Sequence, residues 1–509
     1  MNRDPSIRSL DRGVKKPLLY NLLAAALTIL LTFLHLIIVS RTLSESDLVL
    51  YGSITTFFNI LGLLVSRHLQ WGARILVRMG GEAVDGYIGI NTLAVLIGLA
   101  ISPLFIHLFI APLDAQLAII IILYSIVVTY FYSFIQIVNI VATKYYTFIF
   151  MLNYFGRVIL LVTVISQASR LDAYYALYSD ILGISISLLA IAAILRSVFP
   201  LRLFLLGSID IGLSTRTFRL AVPQFLLLPR INIPNIHYFI VFFLRIPEVI
   251  INSLWVVYRM LSWGRSFFRG FFSVIYSKQF YGELDERVFR EYIDFILYLI
   301  TPVLLYSTYL HIPIVSIFNP GFTPFSYLVP LAILLLLLDI IRISMIRIVF
   351  GGDTVDIDDD SVGIPKGIFY RVALLEAKLF AIFILPAISV SYLLATLGLG
   401  DLVPPLLLGL FTLQLVLEVY LIYRIVNSRW GFSYRSFNPL YFISASLPGL
   451  IYLISVDAGG VVVKDIFVEG PILVAHLSMA MSIYILSSLT IPWVRRHITS
   501  LLGLKSVTS

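Results

Sequence analysis

Apolar residues run through this chain in fourteen stretches of roughly 18–28, separated by short polar loops. At 1.5 Å rise per residue, each is long enough to cross a hydrocarbon core of about 30 Å as a helix. The predicted spans are 18–39, 48–65, 86–109, 115–138, 148–166, 173–195, 219–244, 249–276, 295–318, 326–349, 368–395, 402–426, 440–456 and 471–493. The expected fold is an all-α polytopic membrane protein of about 14 transmembrane helices.

Basic residues test this count, because they accumulate in short cytoplasmic loops. With the N-terminus placed inside, alternation puts 22 Lys and Arg on the inner side, from Arg3, Arg8, Arg12, Lys15 and Lys16 to Arg495, Arg496 and Lys505. Only Arg41, Arg170, Arg245 and Lys464 fall outside. A miscounted span would scramble that asymmetry, so both termini are expected in the cytoplasm and the protein in the cell membrane. The basic, apolar N-terminus reads as a retained first helix, since no small-residue cleavage site follows it.

Composition agrees and adds little. The chain is 60% hydrophobic with a mean hydropathy of +0.98, which excludes an ordinary soluble domain. The net charge of +8 is explained by the inner loops. It therefore points to anionic lipid headgroups and not to nucleic acid. Absence of cysteine removes disulfide and thiol chemistry.

No connection is long enough for a separate soluble domain. The longest inner ones are 196–218, 277–294 and 350–367. The first falls between the sixth and seventh spans and divides the chain into an N-lobe (1–195), a linker (196–218), a C-lobe (219–426) and a C-terminal part carrying two extra helices (427–509). A faint repeat fits that division: Arg41-Thr-Leu-Ser-Glu45 then Tyr51, and Arg245-Ile-Pro-Glu248 then Tyr258. Two pseudo-symmetric six-helix lobes around a central cavity are expected, as in transporters built from repeats. Pro223, Pro229 and Pro234 must break the seventh span, leaving free backbone groups that only protein or a wet cavity can satisfy.

Ionisable residues inside spans are costly unless paired or wetted. Spans 10 and 11 form an antiparallel hairpin, so equal depth means a constant index sum. That pairs Asp339 with Lys378 and Arg342 with Glu376; Arg157 and Asp180 pair between spans 5 and 6. Each pair is either structural or part of a transport path. The remaining charge is cationic: Arg67, Arg230, Arg259 and Arg265 are the candidate cavity cations, while Arg74, Arg78 and Arg269 suit topogenic or lipid-binding roles. Glu418 has no obvious partner. Guanidinium donates two parallel hydrogen bonds to phosphate, so an arginine-rich, acid-poor cavity suggests a phosphorylated substrate.

The acidic run Asp353, Asp356, Asp358, Asp359 and Asp360 reads as a solvated inner loop, with divalent-cation binding as the alternative. His35, His107, His237, His311 and His476 show no ligand spacing. No phosphate-binding glycine loop or nucleophile arrangement is present. No cofactor, metal or catalytic residue is expected.

The stretch Arg41-Thr-Leu-Ser-Glu45-Ser-Asp47-Leu-Val-Leu-Tyr51 resembles the opening motif of polysaccharide flippases. These are the Wzx-type members of the multidrug/oligosaccharidyl-lipid/polysaccharide exporter superfamily. Ser44 and Val49 stand where that motif has glycines. Phe218-Arg-Leu-Ala-Val-Pro223 is similar to the start of the family's second lobe, and the fourteen-helix layout agrees over the whole length. The resemblance implies two lobes that alternate between inward- and outward-open states. It also implies a polyprenyl-(pyro)phosphate-linked glycan, moved from the inner to the outer leaflet and engaged through its pyrophosphate by cavity arginines. Arg67 and either Arg259 or Arg265 match those arginines by position. Membrane lipids are the other partners, and the expected state is a monomer, open to association with glycan-assembly enzymes.

Two rivals compete. A cation-coupled multidrug antiporter of the same superfamily generally has a carboxylate in its first or seventh helix, where this chain has none. A membrane glycosyltransferase or polymerase usually carries acidic residues on large outer loops; here only 457–470, with Asp457, Asp465 and Glu469, comes near.

Overall fold

The computed structural model describes residues 15–79, 84–167, 171–196, 222, 225–280, 284–352, 367–432, 440–492 and 494. The expected linker at 196–218, apart from Arg196, and the acidic run at 353–360 lie outside them. Among the described residues every long element is a helix.

The first six are α1 (Lys15–Thr42), α2 (Glu45–Met79), α3 (Val84–Phe109), α4 (Ala115–Val141), α5 (Thr143–Gln167) and α6 (Ala173–Arg196). Next come α7 (Phe225–Ile231), α8 (Ile233–Phe243), α9 (Glu248–Phe280), α10 (Glu286–Tyr309) and α11 (His311–Phe318). The last five are α12 (Leu328–Gly352), α13 (Ile368–Thr396), α14 (Val403–Trp430), α15 (Leu440–Ser455) and α16 (Glu469–Ser488). Ten of these are long and apolar enough to cross a membrane singly, and two bent pairs, α7 with α8 and α10 with α11, bring the number to twelve. The arginine-bearing α9 and the 16-residue α15 complete the fourteen segments read from the sequence.

Helix faces follow from composition. On α1, Leu23, Leu27, Leu30 and Leu34 recur every three or four residues and are exposed, forming a lipid-side stripe. Thr28, Thr32, His35, Leu36 and Val39 on the opposite side are buried. Helices α1–α6 pack mainly on one another, as do α8–α14, while α1, α2 and α5 meet α8, α9 and α11 across the middle. The α15–α16 pair leans on α10.

Among the described residues two spans are sharply bent at a break between helices. The proline-rich seventh bends by 57° between α7 and α8; Pro234 takes an early position in α8, where a missing N–H costs nothing. The ninth, read from the sequence as one helix, turns by 85° between α10 and α11. Pro313 lacks the N–H that would bond to the Tyr309 carbonyl, so α10 ends there and α11 leaves in a new direction.

Candidate functional site: an arginine-rich cavity between the two halves

A cavity of about 370 Å³ lies between the halves, lined by α2, α4, α5 and α6 on one side and by α7, α8, α9, α12 and α13 on the other. Six arginines line it (Arg157, Arg230, Arg259, Arg265, Arg342 and Arg347) against three carboxylates (Asp180, Asp339 and Glu376). Aromatic side chains, among them Tyr124, Tyr132, Tyr154, Trp255 and Tyr258, fill much of the remaining wall, with Thr55, Asn59, Gln136 and Asn235 between them.

On the N-terminal side the charges close on themselves. Asp180 is 1% exposed and lies 2.8 Å from Arg157 Nη1. Its carboxylate also accepts the Tyr124 hydroxyl at 2.8 Å and, at 3.2 Å to either oxygen, that of Tyr51. Arg157 Nε donates to Asn153 Oδ1 at 2.6 Å, and His35 Nε2 stands 3.7 Å from Asp180. Gly156 and Gly183 let α5 and α6 approach closely enough for this, since a Cβ on Gly183 would strike the Asn153 carbonyl.

The C-terminal side holds a larger cluster drawn from five helices. Arg230, at the end of α7 beside the bend, is 1% exposed; its Nε donates to Glu418 at 2.6 Å and its Nη2 lies 3.5 Å from Asp339. Arg265 Nε lies 2.5 Å from the other Asp339 oxygen. Arg342 Nε is shared among Glu418 at 3.2 Å, Glu376 at 3.4 Å and Asp339 at 3.6 Å. Gln414 donates to Glu418 at 2.7 Å. Burying a charge is costly and a lone one is worse; here each carboxylate has at least one guanidinium against it.

Asp339 does not meet Lys378, which is exposed. Glu376 and Lys378 are two residues apart, about 200° around α13, so when Glu376 faces inward Lys378 cannot. Glu418, left without a partner by the sequence, joins the cluster through Arg230 and Arg342. The side chain of Arg67, on the later part of α2, lies outside the described residues, as do those of Arg74, Arg78 and Arg269.

Arg259 differs from these. Its Nη2 donates to Thr55 Oγ1 at 2.8 Å and its guanidinium stacks 4.9 Å from the Trp255 ring centroid. Among the described residues no carboxylate comes within ion-pair distance of it. Arg347, not singled out in the sequence because it sits near the end of its span, also lines the cavity without a carboxylate partner among the described residues. It lies about 12 Å beyond Asp339 along α12.

Among the described residues the histidines pair locally and not with one another. His237 Nδ1 is 2.6 Å from the Tyr258 hydroxyl and His476 Nδ1 is 2.9 Å from that of Tyr452. Among the described residues no group of three His, Asp or Glu could hold a metal. In the connection between α15 and α16, Glu469 accepts the Asp465 N–H at 2.7 Å and Asp465 that of Phe467 at 2.8 Å, so both carboxylates serve their own turn.

No family model matches the chain, and no curated protein matches it. Solved structures do. An outward-facing multidrug resistance MATE family transporter of the MOP superfamily aligns over 85% of this chain and 99% of its own, with 13% identity and a TM-score of 0.56. A MATE structure in complex with MaL6 aligns over 84% and 99%, with 12% identity and a TM-score of 0.55. A MOP superfamily transporter from Pyrococcus furiosus Vc1, whose binding pocket of reverse polarity suggests a different function, aligns over 84% and 99%, with 13% identity and a TM-score of 0.52. The chain is a multi-pass membrane protein, helical throughout its long described elements, with the fold of these transporters.

Proposed function

We propose that this protein moves a lipid-linked, phosphate-bearing oligosaccharide across the membrane, from the inner to the outer leaflet, by alternating exposure of the central cavity. The observation that carries this reading is Arg259: a guanidinium on the cavity wall, held in place by Thr55 and Trp255, with no carboxylate within ion-pair distance of it among the described residues. A planar fork in a partly desolvated wall is suited to phosphate or pyrophosphate. The tyrosines, asparagines and threonines around it suit a polar sugar. A polyprenyl-(pyro)phosphate-linked glycan combines these chemistries.

The fold is shared with multidrug transporters and is equally compatible with a cation-coupled antiporter. Charge supports the first reading. An organic cation entering the cavity would meet Asp180, Asp339 and Glu376 with arginines already against each.

The test is a proteoliposome assay in which a fluorescent polyprenyl-pyrophosphate disaccharide is scored for transfer between leaflets. Protein-dependent transfer, competed by unlabelled polyprenyl pyrophosphate, is the expected result. No transfer, together with uptake of an organic cation driven by a proton or sodium gradient, replaces this reading with the antiporter.

A further inference from the structure

The last turn of α1 places Arg41 against two other parts of the chain. Its Nε donates to the Ile317 carbonyl at 2.7 Å, and its Nη2 donates to Ser316 O and Val463 O, both at 2.9 Å. Nη1 donates to Lys464 O at 2.9 Å. Next to it, Ser40 Oγ donates to Phe318 O at 2.9 Å, and Asn319 Nδ2 donates back to Ser40 O at 3.3 Å.

The chemistry of these acceptors explains the arrangement. Ser316, Ile317 and Phe318 end α11, and the final carbonyls of a helix have no partner within it. They also carry the negative end of the helix dipole, which favours a cation. The 85° turn before α11 aims them at α1. Val463 and Lys464 belong to the connection between α15 and α16, and the Val463 N–H bonds to Ser316 Oγ at 2.8 Å. One guanidinium thus ties the N-terminal half, the C-terminal half and the appended helix pair together.

This tie sits at one end of the cavity. The halves also touch there through Asn252 Nδ2 on Glu45 O at 3.2 Å, Tyr238 on Val49 O at 3.1 Å and the edge-on pair Phe105–Phe239. The cavity begins at Tyr238, and its lining continues along the helices of both halves to Phe350 and Phe369. Opening at the Arg41 end requires these contacts to part.

We infer that Arg41 is the latch of a gate closing this end of the cavity, and that the α15–α16 connection is its catch. The appended pair then has a role in transport, as one side of the gate. The inference rests on the alternating-exposure reading but not on the identity of the cargo.

The test uses the full chain, whose lack of cysteine permits clean labelling. Nitroxides on Ser46→Cys and Thr396→Cys, both exposed, report the separation of the halves at this end by double electron–electron resonance in detergent, without substrate. One compact distribution is expected for the otherwise unaltered chain, and a second, longer population for Arg41→Ala. Arg41→Lys should be intermediate, because an ammonium cannot reproduce the fork. A folded Arg41→Ala protein with an unchanged distribution overturns the latch.

If Arg41→Ala does not fold, a bifunctional maleimide linking Thr42→Cys to Lys464→Cys holds the catch shut in a chain that keeps Arg41. Distances should then stay compact under every condition, and lipid transfer should fall to background. Transfer undiminished by the crosslink overturns the inference. Because the distance measurement needs no cargo, a failure of the lipid-glycan reading leaves it intact.

Discussion

Arg265 reaches across from α9 to Asp339 on α12, with Nε 2.5 Å from Oδ2, and Arg230 and Arg342 approach the opposite carboxylate oxygen at 3.5 and 3.6 Å. Asp339 is therefore the anion that lets three guanidinium groups converge. Asp339→Asn should leave them repelling one another and cost about 3–5 kcal/mol, the range for breaking a buried pair by removing one partner. Thermal unfolding of the purified protein in detergent measures this as a large drop in midpoint. Pairing it with Arg265→Gln should recover part of the loss, and Lys378→Met should change nothing.

Asp180 organises the other half, and its hydroxyl partners differ in geometry. Tyr124 donates one bond at 2.8 Å; Tyr51 is split between both oxygens at 3.2 Å. A hydrogen bond to a charged group contributes about 1.5–3 kcal/mol, and the shorter, single bond should lie toward the upper part of that range. Tyr124→Phe is expected to lower the unfolding midpoint more than Tyr51→Phe. No effect from either would mean that Arg157 alone fixes the carboxylate.

The α5–α6 contact depends on glycine. A Cβ on Gly183 would meet the Asn153 carbonyl and the Arg157 Cγ, whereas one on Gly409 of α14 would meet nothing within 4 Å. Gly183→Ala should cost about 1–3 kcal/mol through overpacking and displace Arg157 from Asp180. Gly409→Ala should be neutral or stabilising by up to about 1 kcal/mol, since glycine is a poor helix former. Comparing their unfolding midpoints separates the close approach from helix propensity.

Much of this molecule was legible because the bilayer imposes a length. Spans 1–6 were found from apolar run length alone, and the three prolines marked the break beside Arg230. The index sum gave depth but not direction around the helix, so it paired Asp339 with Lys378 although Glu376, two residues away, had to face the other way. Links between helices far apart in the chain, such as Arg230 with Glu418 or Arg41 with Ile317, leave no trace in local spacing. The bend before α11 was also hidden, because Pro313 lies inside an unbroken apolar run.

Arg259 gives the sharpest test of the cavity reading. Its neighbours are a hydroxyl and an indole face, so neutralising it strands no buried carboxylate among the described residues, and Arg259→Gln should fold with an unfolding midpoint close to that of the parent. Transfer of the pyrophosphate-linked probe should nevertheless fall at least about tenfold, the equivalent of one lost charge-assisted bond of about 1.4 kcal/mol or more. Arg259→Lys keeps the charge but not the planar fork, so it should retain part of the rate and need more probe to reach it. Arg265→Gln differs, because it strips Asp339 of its nearest cation and should destabilise the fold as well as slow transfer. Leaflet transfer and thermal unfolding measured on the same three variants tell a binding arginine from a structural one. Full transfer by a stable Arg259→Gln protein would remove Arg259 from the site.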